Sequence, residues 1–201
     1  MIKIVKDVNL FDDIDKFENI AVGTNVYCTM SQGFQRKVMV YYPDVQKENE
    51  KTKYGDVRKL GTVMRCESYG KSFAVCYICK GYNFRPDLSS EYVDYDALRK
   101  CCKLLNILYK KKIIAMPLLG GSRFDGNGNA TELLKIMEEE LTDVTAYVYC
   151  YHQESKSEEK KRVYEYEKML KSQDYEMYRK AVCERKKREK MVFSRNKHTK
   201  V

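Results

Sequence analysis

Ile113-Ile114-Ala115-Met116-Pro117-Leu118-Leu119-Gly120-Gly121-Ser122-Arg123-Phe124-Asp125 decides how this chain is read. The apolar run over residues 112–118 is short, β-branched at its start and closed by a proline, the pattern of a strand buried in a parallel sheet. Two adjacent glycines at its carboxyl end let the backbone fold back tightly or approach a ligand closely. Residues 131–141 then place Leu133, Leu134, Met137 and Leu141 on one helical face. The outer ends of parallel strands are where α/β sheets bind ligands. The segment is therefore either a plain tight turn or a loop that cradles an anion beside the Asp125 carboxylate.

Working outward, residues 1–5 and 19–23 read as strands. Residues 31–42 suit a helix stopped by Pro43, and residues 44–54 a second helix with Asp44 as N-cap and Gly55 after its end. Residues 62–67 and 72–79 are strand-like and joined by a turn at Tyr69-Gly70. Residues 93–110 carry Ala97, Leu98, Cys101, Leu104, Leu105 and Leu108 at helical spacing, and residues 144–150 form a last strand. Strands alternating with helices predict an α/β sandwich with a mixed or mostly parallel sheet.

The 201 residues suit one domain of about 150 residues with an appendage. A hydrophobic content of 43% supports a core, and no apolar run approaches the roughly 20 residues that span a bilayer. No membrane association is expected. The start is charged too early for a secretory signal, and the eight cysteines are scattered through apolar runs, so reduced thiols and a cytoplasmic location are expected. Cys76-Tyr77-Ile78-Cys79 has the spacing of a metal or redox motif. Inside a strand its two thiols should point to opposite faces, and no second pair exists, so no metal site is expected.

The net charge of +9 is uneven: residues 153–201 carry +7 of it and the rest +2. From residue 153 onward there is no glycine or proline, and Val163, Tyr166, Leu170, Met177 and Ala181 recur at helical intervals. The division is thus a body over residues 1–152 and a basic, amphipathic helical extension over 153–201. The stripe should pack on the body or on a second copy of the chain. The cluster Arg185-Lys186-Lys187-Arg188-Glu189-Lys190 is either solvated or a contact for nucleic acid phosphates or another polyanion.

Three strand ends belong together: Ala21-Val22-Gly23-Thr24-Asn25 with Ser31-Gln32-Gly33-Phe34, then Tyr77-Ile78-Cys79-Lys80, then Pro117 to Asp125. Their order over residues 1–151 resembles the macrodomain, the ADP-ribose-binding fold. Within it the order is most similar to the branch of DNA ADP-ribosylation antitoxins and the terminal ADP-ribose protein glycohydrolase. Val8-Asn9-Leu10-Phe11 looks like that family's Gly-Asn-Leu-Phe start, with Asn9 or Asp7 near the adenine. Asn25 stands at the asparagine facing the distal ribose, and Ser31-Gln32-Gly33-Phe34 at the phosphate loop, with a single glycine. Lys80 matches a strand-end lysine, and Phe124 an aromatic beside the ribose.

The resemblance implies a three-layer α/β/α sandwich with a mixed sheet, here followed by a long C-terminal helix. It implies diphosphate binding by Gly33, Gly120, Gly121 and Ser122 through backbone donors. It also implies attack by Lys80 on the anomeric carbon of the distal ribose, assisted by Asp125. No cofactor is called for. The expected activity is removal of ADP-ribose from a modified nucleic acid or protein. The alternatives are a non-catalytic binder or sequestering protein for an ADP-ribose-derived nucleotide, and a phosphatase for ADP-ribose 1″-phosphate.

Overall fold

The computed structural model describes residues 1–30, 32–81, 92–122 and 126–150. The expected helix over 153–201, its basic cluster, Phe124 and Asp125 lie outside the described residues. Among the described residues six strands form one sheet: β1 (Ile2–Lys6), β2 (Asn19–Asn25), β3 (Val63–Ser68), β4 (Lys71–Cys79), β5 (Ile113–Pro117) and β6 (Thr145–Cys150). Their order is β1-β6-β5-β2-β4-β3. All neighbours run parallel except β3, which is antiparallel to β4. The central strands are apolar along their length because helices cover both faces.

Helices α1 (Gly33–Tyr41) and α2 (Pro43–Lys51) lie on one face, where Val38 and Val45 pack with Ile20, Val22, Phe73 and Val75. Helices α3 (Tyr95–Leu108) and α4 (Ala130–Glu140) lie on the other. There Leu98, Leu105, Leu133 and Met137 meet Ala74, Cys76, Ile114, Met116 and Val148. This is the three-layer sandwich with a mixed sheet that the sequence led us to expect. No helix of the described residues is long and apolar enough to cross a membrane.

Several expected boundaries move for physical reasons. Pro43 does not merely stop the first helix; it occupies the first turn of α2, where its fixed φ suits a helix start and its missing N–H costs nothing. Asp44 is therefore inside α2 rather than its N-cap, and its carboxylate holds Lys47 and the Ser68 hydroxyl. The helix ends at Lys51, so Gly55 belongs to the following turn, with φ +69°. Asp94 rather than Val93 opens α3, its carboxylate accepting the Ala97 N–H. Asn129 caps α4 one residue earlier than expected. Cys76 and Cys79 do not point to opposite faces but join the same core. The ladder slips between Thr24 and Asn25, so that Asn25 pairs with Cys79 and the strict alternation is lost.

Two buried phenols tie the layers. The Tyr77 hydroxyl donates to Asn49 Oδ1 at 2.7 Å, linking β4 to α2. The Tyr149 hydroxyl donates to Asp13 at 3.0 Å, linking β6 to the 3-10 turn at Leu10–Lys16. Burial pushes Tyr77 up to about 12, and burial with the Asp13 carboxylate pushes Tyr149 up to about 12. A phenol that holds its proton more tightly when folded favours the folded state fully below pH 10 and loses that contribution as pH rises toward 12. We expect stability, measured by urea unfolding, to fall across that window. Tyr77→Phe and Tyr149→Phe should each flatten the fall, at the cost of a lost hydrogen bond of about 1 kcal/mol. An alkaline profile identical in both variants and the parent would contradict this account.

Candidate functional site

Parallel β1, β2, β4, β5 and β6 end on one rim of the sheet, and the loops that follow them carry every expected site residue that the structure describes. After β2 the chain folds over its own asparagine. Asn25 Oδ1 accepts the N–H of Tyr27 at 3.0 Å, while its amide donates to Thr29 Oγ1 at 2.6 Å and to the Thr29 carbonyl. Asn25 is buried, and this side chain builds the loop rather than projecting from it. The loop leads to Gly33, the first residue of α1, with φ +52°. Gln32 stands at the N-cap position but its side chain makes no cap hydrogen bond. The first-turn N–H groups thus receive no side-chain acceptor from Gln32, and the helix dipole points its positive end at the rim.

The β5 loop is shaped by contact with Val93. Gly120 has φ +80°, and a Cβ there would sit 2.7 Å from Val93 Cγ2. A Cβ at Gly126 would come 2.7 Å from Val93 Cβ, and one at Gly128 would come 2.7 Å from Val93 Cγ1. The N–H groups of Tyr92 and Val93 both donate to the Gly126 carbonyl. Gly121 donates its N–H to Leu118 in a turn, and the Ser122 carbonyl accepts from Asn127. Gly120 is thus required by packing whatever else it does, and the Gly121 N–H already has an acceptor.

Lys80 lies just beyond β4 with its side chain exposed, and its ammonium pairs with the Asp94 carboxylate at 2.9 Å. Burial alone would raise the Asp94 carboxyl, but the Ala97 N–H and the Lys80 ammonium hold it below the usual carboxylate range. Desolvation or a cationic neighbour activates a lysine as a nucleophile; the described residues instead give Lys80 water and an anion. Asp94 is the site residue the sequence reading passed over, although an aspartate just before the first apolar-periodic residue is an N-cap signal. At the β1 end, Asn9 accepts the Phe11 N–H and caps the 3-10 turn. Phe11 packs against Phe34 and Tyr41, with Lys37 over its ring at 5.1 Å. Asn9, Asn25, Gly33, Lys80, Gly120, Gly121 and Ser122 thus share one rim. Among the described residues no three His, Cys, Asp or Glu side chains gather where they could hold a metal ion.

Comparison with solved structures identifies the fold. The macrodomain of Thermus aquaticus DarG aligns over 74% of this chain and 97% of its own, at 19% identity and a TM-score of 0.55. This chain has the macrodomain fold. Thermosipho africanus DarTG, solved in complex with ADP-ribose, aligns with this macrodomain over 70% of the chain and 40% of its own, at 15% identity and a TM-score of 0.51. In sequence, an uncharacterized 17.5 kDa protein of Enterobacteria phage T4, from the tk-vs intergenic region, is 29% identical over 120 residues. That match covers 57% of this chain and 76% of the phage protein. No protein-family model matches the chain.

The Val93 contact gives this macrodomain a direct stability test. Gly120→Ala forces a Cβ into Val93 at a φ that disfavours it, and should cost about 1–3 kcal/mol. In a Val93→Ala background the added cost of Gly120→Ala should shrink, leaving mainly the backbone strain. Additive costs in this double-mutant cycle would show that the two residues do not constrain each other.

Proposed function

We propose that this macrodomain binds ADP-ribose, free or attached to a macromolecule, with the diphosphate at the amino end of α1. The observation that carries the reading is Gly33 at the head of α1 with no side-chain cap from Gln32, on the rim where β2, β4 and β5 end. A helix start offers N–H donors and a positive dipole end to an anion. A likeness of fold to a protein solved with ADP-ribose supports the choice of ligand. Asn9 and the Phe11–Phe34 pair stand at the same rim, where an adenine would find an aromatic surface.

Hydrolytic release of ADP-ribose, with Lys80 attacking the anomeric carbon and Asp125 assisting, is the finer reading. It requires the Lys80 amine to leave the Asp94 carboxylate and shed its proton. That ion pair favours the second reading, a binder that reads or sequesters ADP-ribose without turning it over.

Two variants separate these readings. A Cβ at Gly33 meets no atom within 4 Å, so Gly33→Asp should fold, and aspartate tolerates positive φ better than most residues. Its carboxylate should repel the diphosphate and weaken ADP-ribose affinity about tenfold by calorimetry, with Gly33→Asn closer to the parent. Equal affinity in Gly33→Asp and the parent would remove the diphosphate from this position.

For turnover, the full chain would be incubated with ADP-ribosylated DNA and ADP-ribosylated protein. If the parent releases ADP-ribose, Lys80→Ala should abolish release while affinity stays within a few-fold, since the group acts in the chemical step. Binding without release in the parent establishes the reader. Release that survives Lys80→Ala excludes Lys80 as the nucleophile.

A further inference from the structure

Within the loop that follows β2, where Cys28 donates its N–H to the Asn25 carbonyl, a cysteine and a lysine face each other. Cys28 Sγ lies 3.0 Å from Lys59 Nζ and 3.2 Å from Thr52 Oγ1. The lysine also donates to Thr52 Oγ1 at 3.1 Å and sits over the Tyr77 ring at 4.8 Å. Thr52 Oγ1 is 3.2 Å from the Tyr77 hydroxyl, which Asn49 holds in place. The two reactive atoms are thus fixed by a threonine, a buried phenol ring and the loop backbone. Lys59 is half-buried and Cys28 keeps 6% of its surface exposed.

Four other thiols are placed differently. Cys66, Cys102 and Cys150 are pushed up by burial, and Cys101 donates to the Thr62 carbonyl. A cation within hydrogen-bond reach stabilises the negative charge that sulfur carries into attack, and an amine that close to an oxidised sulfur can trap it.

We propose that Cys28 and Lys59 form a peroxide-dependent modification site that closes to a covalent sulfur–nitrogen crosslink. The deprotonated sulfur attacks one oxygen of a hydroperoxide, an S–O bond forms and the O–O bond breaks. The departing hydroxide (or alkoxide) takes a proton from the Lys59 ammonium. Cys28 is now a sulfenic acid, oxidised by two electrons, and the peroxide is reduced. The free Lys59 amine then attacks the sulfenic sulfur: an S–N bond forms, the S–OH bond breaks, and the hydroxide leaves as water with a second proton from nitrogen. A dithiol reductant reverses the link: one thiol attacks sulfur, an S–S bond forms, the S–N bond breaks and the amine takes the proton, and the second thiol then displaces the Cys28 thiol from the mixed disulfide. The crosslink joins the loop that Asn25 organises to the turn at Val57–Lys59, so oxidation would pin the β2 loop to the body of the fold.

The test treats the full chain with hydrogen peroxide and reads peptide masses with and without dithiothreitol. The expected product is a Cys28–Lys59 linked peptide lighter by two hydrogens than its parts, absent after reductant. Cys28 should be lost about tenfold faster than Cys66 or Cys150. Lys59→Arg keeps the charge but not the primary amine, so dimedone should then trap Cys28 as a sulfenic acid. Lys59→Met, checked for folding by circular dichroism, should slow the loss of Cys28. If Lys59→Met does not fold, the arginine variant alone decides. Oxidation of Cys28 no faster than that of the other thiols would overturn the proposal. So would a stable sulfenic acid in the parent, or a disulfide from Cys28 to another cysteine.

Discussion

The contact on which the rim depends is Val93 against three glycines. Gly120, Gly126 and Gly128 each bring bare backbone so close to one valine that a Cβ would overlap it. The contact is long-range: Val93 belongs to the connection between β4 and α3, and the glycines to the connection between β5 and α4. Val93 also bridges to Cys79, and the Asp94 N–H donates to the Ile78 carbonyl. One residue thus locks the end of β4, the start of α3 and the β5 loop into a single unit. Close packing transmits small displacements, so a shift at Val93 would be felt at Asp94 and, through its ion pair, at Lys80.

The architecture was legible in the sequence because it is written locally. A buried central strand reads as an apolar run, and helices α3 and α4 announce themselves by periodicity. Positions such as Leu98, Leu105, Leu133 and Met137, chosen on spacing alone, are core residues. What was illegible is set by contacts between distant segments. Nothing near Gly120 in sequence says that Val93 will press on it, so its smallness looked like room for a ligand. Asn25 looked available for a ribose because the loop that consumes its amide and carbonyl is closed only in three dimensions. Cys79 changed face because of a slip in the ladder that alternation cannot foresee. Asp94 could have been found from its capping position, yet its pairing with Lys80 spans a segment whose course no local pattern gives.

The same contrast bears on chemistry. A rim residue can serve a ligand only with hydrogen-bonding capacity the fold has not already used. Asn25 spends its amide oxygen and nitrogen on Tyr27 and Thr29, Asn9 spends its Oδ1 on the Phe11 N–H, and Gly121 spends its N–H on Leu118. These groups shape the loops of the rim. At the amino end of α1, Gln32 supplies no side-chain cap, and a helix start has N–H groups that geometry prevents it from satisfying internally.

Lys80 is governed by a competition of the same kind. In water its pairing with Asp94 is a modest interaction, because solvent screens both groups and the lysine is exposed. A ligand seated on the rim would displace that water and strengthen every remaining electrostatic contact. If the pair stays closed in the complex, the lysine remains a cation beside a carboxylate and contributes to binding by charge alone. If the ligand's own geometry separates them, the Asp94 carboxylate stays held by the Ala97 N–H and the lysine loses its described anionic partner. The pair is fixed at one end by the cap of α3 and exposed at the other, and its stability in a complex bears on the proposed choice between binding and hydrolysis.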